Sequence, residues 1–236
     1  MEKIGVYEAI RSRRSVRSFS KKKIEDKDLV AILEAARFNT SAGGLHLSPK
    51  IIIIRNKRMI KLIMNGDGEI VFSSRIRAIL EKEPQHLQNA DTLLVFCADM
   101  EAYLSEYHEA IEGELTSWYK LKKGELYSVQ DADLAASNVI LQAHALGIGV
   151  CWIGQIHEDK LKELLKIKGN VMPVCLLLMG YPDEEGEKAV DKILKERKKQ
   201  YPCPPDPRNT YFDEEWKNPS KYVEHMHLEK RPRKSG

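Results

Sequence analysis

The stretch from residue 131 to residue 146 limits how this chain can fold more than any other, because it is the strongest helical segment. It is rich in alanine and leucine. Apolar residues occupy nearly every side of the helix that it would form, among them Leu134, Ala135, Val139, Leu141 and Ala145. Gly147 follows at the position where glycine commonly ends a helix. We expect such a helix to lie at the centre of the protein or in a subunit interface.

Four short apolar runs predict the strands of a sheet. They are residues 50–54, 93–97, 149–154 and 173–179, and the first two predict buried strands. Helical patterns lie between and around these runs, at residues 3–11, 29–37, 58–64, 75–80, 158–165 and 184–199, with Asp26 as a candidate N-cap for the second. Because strands and helices alternate unevenly, the sequence predicts an α+β fold with a mixed β-sheet flanked by helices.

Composition favours one globular domain over residues 1–236. The chain is 42% hydrophobic, and a single domain of this size is ordinary. Its formal net charge is +3, which disfavours nucleic acid as a partner. The longest wholly apolar run covers residues 174–179, far short of the roughly 20 residues that span a bilayer. The N-terminus has no apolar signal core, so we expect a cytoplasmic protein with no membrane partner.

The cysteines and histidines predict neither disulfides nor a metal site. No Cys-x-x-Cys pair is present, and three of the four cysteines lie in or beside apolar runs; the four are Cys97, Cys151, Cys175 and Cys203. This pattern predicts small core residues in a reducing compartment. His225 and His227 have no evident third ligand, so no metal site is predicted there.

Three arginines and three serines lie close together in residues 12–19. If this segment is extended, its side chains alternate, and Arg13, Ser15 and Arg17 share one side as two guanidinium groups with a hydroxyl between them. Such a set would bind an anion. If the segment is helical, the two arginines stay together but Ser15 turns away. A solvated basic segment after a helix is a third interpretation of the same residues.

The order of these features resembles the nitroreductase family of FMN-dependent oxidoreductases. Members begin with a helix and an Arg-x-Ser-x-Arg/Lys-x-Phe/Tyr element, which is matched here by Arg13, Ser15, Arg17 and Phe19. The small-residue loop and the late helix, glycine turn and strand of the family are matched by residues 40–44 and 132–154.

The resemblance covers most of residues 4–183 and resumes near Arg208. Compared with the family pattern, residues 184–207 look like an insertion and residues 217–236 are a basic tail. Together they predict a C-terminal extension to a nitroreductase-like fold.

The resemblance implies that FMN is the cofactor. Arg13 and Ser15, with Arg208, match the family's phosphate contacts, and Arg17 matches the cation beside flavin N1 and O2. Gly154 lies where relatives offer a backbone amide to flavin N5. The full set of expected FMN-binding residues is Arg13, Arg14, Ser15, Arg17, Ser41, Ala42, Gly43, Gly44, Ser73, Trp152, Ile153, Gly154 and Arg208.

The resemblance also implies an enzyme that passes a hydride from NAD(P)H through flavin N5 to a small, electron-poor acceptor of the nitro or quinone type. No side chain is then an obligatory acid or nucleophile, because the flavin carries the chemistry. Relatives are usually homodimers with the flavin sites between subunits, and we expect the same here.

One loop departs from the common family pattern and leaves two alternatives open. Residues 40–48 lack the Asn, Gln and Trp of many relatives, and their Ser-Ala-Gly-Gly-Leu-His run is similar to the branch that oxidises azoline rings in modified peptides. In that branch the substrate, not NAD(P)H, reduces the flavin. The second alternative is a protein that binds flavin or a phosphate ligand without turnover, if the altered loop closes the pocket.

Overall fold

The computed structural model describes residues 4–41, 49–64, 69–101 and 117–200, and for residues 117–123 and 200 it describes the backbone alone. The described strands form one sheet: β1 (Pro49–Ile54), β2 (Thr92–Asp99), β3 (Gly149–Ile153) and β4 (Val171–Gly180). Their order is β1-β2-β4-β3, and each pair of neighbours is antiparallel. Within these residues, the parallel pairing expected of a mixed sheet is limited to one bridge, between Ser15 and Val150. The predicted α+β fold is confirmed.

The described part of the chain contains eight helices. They are α1 (Val6–Ser12), α2 (Asp26–Arg37), α3 (Lys57–Ile63), α4 (Ser74–Lys82), α5 (Gln85–Gln88), α6 (Ser117–Ala145), α7 (Glu158–Leu165) and α8 (Glu184–Gln200). Every predicted helix is present, most of them within about three residues of the predicted ends, and only the short α5 was not expected. None of the described helices is both long enough and apolar enough to cross a membrane.

Helices cover both faces of the sheet, and a separate set of buried side chains fills each side. On one face, α2 and α6 pack against the strands through residues such as Ile32, Val139 and Leu177. On the other face, α3 and α4 pack through residues such as Ile60 and Ile79. The alternation of strand side chains explains this arrangement, because neighbouring residues of a strand point to opposite faces.

β1 corrects the expectation of a buried first strand. Residues 50–54 do form a strand, but β1 lies at the edge of the sheet, so only Ile54 is buried and Ile53 is 46% exposed. The central strand β2 is buried along its whole length, as predicted for residues 93–97.

The expectation that Asp26 caps α2 is wrong. Asp26 is the first helical residue, and Glu25 occupies the N-cap without a side-chain hydrogen bond to the helix. Asp26 Oδ1 instead accepts a hydrogen bond from Arg55 Nη1 at 2.5 Å. Arg55 also donates to Asp91 Oδ2 at 3.2 Å, so the side chain of Asp26 joins α2 to the segments around the sheet rather than ending the helix.

The central helix α6 is longer and less uniformly apolar than expected. It begins at Ser117, well before residue 131, and Leu134 is 44% exposed although Ala135 and Val139 are fully buried. Its end agrees with the prediction, because Gly147 has a φ of 73° and donates its amide to His144 O at 2.9 Å.

The chain divides into two compact units, Met1–Leu194 and Lys195–Gly236, and α8 contains residues of both. A single domain over residues 1–236 stays a prediction. The insertion predicted at residues 184–207 is described only as far as residue 200, where it is helical. The basic tail, residues 217–236, lies outside the described residues.

Three cysteines are buried thiols without disulfides, and Cys203 lies outside the described residues. Burial raises the pKa of Cys97 and of Cys151 to about 11, and that of Cys175 to about 12. Such thiols are protonated at neutral pH, and since the thiolate is the nucleophile, they are inert core groups.

We predict that iodoacetamide at pH 8 alkylates these three thiols far more slowly in the native protein than in urea, as read by mass spectrometry of the digest. The folded state holds these protons more tightly than the unfolded chain, whose thiol pKa is near 9. The contribution of the three thiols to the free energy of unfolding is therefore complete below about pH 9 and is lost as pH rises to about 11, or to about 12 for Cys175. Cys151→Ala should decline less steeply over that range than the wild type. Equal alkylation of native and unfolded protein would contradict the burial.

Candidate functional site

Residues 12–19, here called the arginine-rich segment, leave helix α1 in an extended conformation. α1 ends at Ser12, and Arg13 leaves the helix with φ −54° and ψ 132°. Ser15 then forms a parallel bridge with Val150 of β3. Of the alternatives for residues 12–19, the structure excludes the helical one, because the helix ends at Ser12 and Ser15 pairs with a strand.

The backbone from residue 16 to residue 20, here called the anchored segment, is fixed by hydrogen bonds. All five of its consecutive amides donate. In chain order, the acceptors are Val150 O at 3.0 Å, the Glu187 carboxylate for both of the next two amides, His86 O at 3.1 Å and Tyr181 O at 2.9 Å. Because these acceptors belong to β3, to α8, to α5 and to the residue after β4, the segment cannot shift without breaking several contacts at once.

The guanidinium groups near this segment have different local partners. Arg17 Nη1 donates to Ser15 O at 3.3 Å. Arg14 Nη1 donates to Arg11 O at 2.9 Å and to Arg13 O at 2.8 Å, which satisfies carbonyls at the end of α1. Arg14 is exposed, whereas Arg13 and Arg17 are half-buried.

The positive charges of the arginines act on two neighbouring groups. His144 of α6 lies with Nε2 2.8 Å from Ser12 Oγ, and its pKa is lowered by burial first and then by Arg13 and Arg14. Arg17 acts to lower the pKa of the Cys151 thiol, although burial there is the larger effect and raises it. A positive field that reaches both α6 and β3 suits an anionic ligand.

The other end of β3 carries the residues expected near the flavin ring. The side chain of Ile153 is buried in the core, so only its backbone could contact a ligand. Trp152 is 49% exposed and its ring covers Gly154, where an added Cβ would lie 2.4 Å from the indole. Only glycine leaves room at position 154 for this arrangement. A hydrogen bond from Trp152 also lowers the pKa of Cys175 against the larger effect of burial.

Ser73 lies beside this same end of β3. Phe72 N donates to Gln155 O at 3.1 Å, and the rings of Phe72 and His157 are 4.7 Å apart between centroids. Ser73 is therefore held one residue from a backbone pairing next to Gly154, and its hydroxyl does not cap α4.

The small-residue loop is described only at its start. Asn39 Nδ2 donates to Asp131 O at 3.3 Å, which holds the backbone before Ser41 against α6. The expected flavin contacts Ala42, Gly43, Gly44 and Arg208 lie outside the described residues.

The expected FMN-binding residues that the structure describes thus lie mainly near the two ends of β3. The arginine-rich segment lies along its beginning, and Trp152, Gly154 and Ser73 lie around its end. Sequence reasoning missed His144, His86 and Glu187, which contact or surround the arginine-rich segment. No local signal marks Glu187, because it lies in a highly charged helix that has the composition of a solvated surface.

The Nitroreductase family model matches residues 10–181, a span that includes the arginine-rich segment and the four described strands. The chain belongs to the nitroreductase family.

Relatives and solved structures agree with this family membership. A protein of Archaeoglobus fulgidus, provisionally named NADH dehydrogenase/NAD(P)H nitroreductase, is 31% identical over 75% of this chain and 84% of its own length. The FMN reductase (NADPH) of Bacillus subtilis is 26% identical over 74% of this chain, which spans only 65% of that reductase. The crystal structure of a nitroreductase family protein from Clostridium novyi NT has a TM-score of 0.58 at 23% identity, covers 80% of this chain and 92% of its own, and so shares the fold.

We predict that Gly149→Ala displaces the arginine-rich segment from β3. A Cβ at this position would lie 2.7 to 2.8 Å from three carbons of Val16, closer than real contacts allow. Overpacking of this kind costs about 1–3 kcal/mol, which urea denaturation would measure as a lower free energy of unfolding. Gly5→Ala is the control, because no atom lies within 4 Å of its added Cβ. Equal loss of stability in the two variants would contradict this packing.

Proposed function

We propose that this protein is an FMN-dependent NAD(P)H oxidoreductase that transfers a hydride to a small, electron-poor acceptor such as a nitroaromatic compound or a quinone. The observation that carries the proposal is the extended arginine-rich segment, held along β3 with its positive field. In a member of the nitroreductase family, such a segment is suited to an anionic cofactor. The names of relatives support the same class, among them FMN reductase (NADPH) and an oxygen-insensitive NADPH nitroreductase of Salmonella typhimurium.

The candidate residues have the chemistry that FMN requires. Its phosphate calls for cationic donors, and Arg13 and Ser15 are assigned to it, together with Arg208. Arg17 is assigned to the pyrimidine side of the flavin, where a cation favours the negatively charged reduced form. Bound FMN would supply hydride acceptance and donation at N5. The protein's own residues bind and orient it.

The end of β3 is assigned to the flavin ring. The Gly154 amide would donate to N5, and the exposed indole of Trp152 offers apolar surface beside it. Ser73 and the loop from Ser41 to Gly44 complete the set. No cysteine among the described residues is placed to act as a nucleophile, because the three thiols are buried and protonated at neutral pH. Buried free thiols also suit the reducing cytoplasm that we propose as its location.

We infer that the protein forms a homodimer through the surface of α1, α2 and α6. A groove of about 520 Å³ lies there, lined mostly by apolar residues together with Glu34, Asn138 and Gln142. Large apolar side chains beside it are exposed, with Phe38 at 75% and with Val6 and Tyr7 also exposed on α1. Exposed apolar patches of this kind mark interaction surfaces. A second copy is the partner that the family resemblance implies.

We expect the purified protein to show the absorbance of bound flavin and to bleach when NADPH or NADH is added without oxygen. Arg17→Ala should bind FMN at least about tenfold more weakly, since a charged hydrogen bond contributes about 1.5–3 kcal/mol. Arg58→Ala, which removes an exposed arginine of α3, should bind FMN like the wild type. Bound flavin that neither nicotinamide cofactor reduces would contradict the proposal, and reduction by an azoline-containing peptide would then support the alternative branch. Failure to bind flavin at all would exclude both the NAD(P)H oxidoreductase and the azoline-oxidising alternative.

We predict that Phe38→Glu dissociates the dimer, because it buries a charge in the proposed interface. Sedimentation velocity should give a dimer for the wild type and a monomer for this variant at the same concentration. Leu62→Glu is the matched control, since Leu62 is an exposed apolar residue of α3 outside this surface. A monomeric wild type, or loss of the dimer in Leu62→Glu alone, would contradict the assignment.

A further inference from the structure

Helix α8 lies so close to the anchored segment that only glycine fits at position 186, where the two meet. An added Cβ on Gly186 would lie 1.9 Å from Ser18 Oγ and 2.8 Å from His86 Nδ1. Asp183 Oδ1 accepts a hydrogen bond from Gly186 N at 3.3 Å and so caps the first turn of α8. The N-terminal turn of the helix is therefore fixed directly against Ser18.

Glu187, the next residue of α8, is thereby close enough to bind the backbone of the arginine-rich segment. The half-buried carboxylate of Glu187 accepts hydrogen bonds from the amides of both Arg17 and Ser18 through a single oxygen, Oε1. The guanidinium of Arg17 bonds elsewhere, with Nη1 3.3 Å from Ser15 O. Glu187 thus fixes the backbone of Arg17, while the guanidinium of Arg17 remains beside Ser15.

A second set of hydrogen bonds holds Ser18 from the opposite side. Ser18 Oγ lies 2.8 Å from His86 Nδ1, and His86 Nε2 lies 2.5 Å from Glu83 Oε2. With its proton on Nε2, the imidazole donates to Glu83 and accepts from the Ser18 hydroxyl. Ser18 and His86 are both buried, so breaking this chain would leave buried polar groups without partners.

Keeping the Glu187 carboxylate ionised at this position has an electrostatic cost. Burial raises its pKa, and the neighbouring Asp191 raises it further, while the two amides and the charge of Arg17 lower it. The groups that favour the ionised Glu187 carboxylate, namely the two amides and the Arg17 charge, belong to the segment that this carboxylate binds. A glutamate needed only for solubility on a surface helix would have neither the burial nor these partners.

We propose that Glu187 is a positioning residue for Arg17, and that α8, which the family pattern marks as an insertion, supports the cofactor site by fixing the Arg17–Ser18 backbone. This inference rests on the proposed function, because the position of Arg17 matters to catalysis only if FMN binds there.

The test measures FMN affinity and the midpoint potential of bound flavin in Glu187→Ala, Glu187→Gln, Arg17→Ala and the double variant Arg17→Ala/Glu187→Ala. Glu187→Ala should bind FMN about tenfold more weakly, and Glu187→Gln should fall between it and the wild type, because a neutral acceptor makes weaker bonds than a carboxylate. If the reduced form loses tenfold more affinity than the oxidised form, the potential falls by about 30 mV for a two-electron couple. Glu184→Gln, an exposed residue in the same turn of α8, should change neither quantity.

The double variant decides whether Glu187 acts through Arg17. If it does, Glu187→Ala adds no further loss of affinity once Arg17 is already alanine. Equal losses in both backgrounds, or wild-type affinity in Glu187→Ala, would overturn this inference while leaving the proposed function intact. No FMN binding by the wild type would overturn the proposed function itself. If Glu187→Ala does not fold, Glu187→Gln, which preserves the side-chain shape, decides by the same comparison in the two backgrounds.

Discussion

The structure of the candidate site depends on the hydrogen bonds of five consecutive amides, residues 16–20. Nearby arginines repel one another, and an extended peptide gains no helical hydrogen bonds of its own, so this conformation needs acceptors from elsewhere. β3, α5, α8 and the residue after β4 supply them. The backbone that carries Arg17 is therefore fixed by the fold and would not have to be ordered when a ligand binds, which would lower the entropic cost of binding.

β3 links that field to the rest of the site. As an edge strand, it has one side free of β4, and the parallel bridge from Ser15 to Val150 uses part of that side. The strand is short, so its beginning beside the arginines and its end at Gly154 are only a few residues apart. The proposed cofactor, which is flat with a phosphate at one end, suits a strand that has arginines beside its beginning and Gly154, under the Trp152 ring, at its end.

Local sequence patterns were sufficient for most of the fold, and failed where long-range contacts decide the outcome. Apolar runs located the four strands that the structure describes, but the isoleucine run of β1 could not reveal that this strand lies at an edge. Alternation within residues 12–19 allowed an extended segment, yet the sequence could not choose between extended and helical forms, because the choice depends on acceptors such as Glu187. That residue lies 170 positions from Arg17 in a helix with the charge pattern of an exposed surface.

Amide hydrogen exchange of residues 16–20 in the protein without FMN tests the central claim most directly. If the fold alone fixes this segment, all five amides exchange slowly, as buried and hydrogen-bonded groups do, and adding FMN changes them little. Exchange as fast as that of an unstructured peptide, with protection only after FMN is added, would show that the cofactor shapes the segment and would contradict the account.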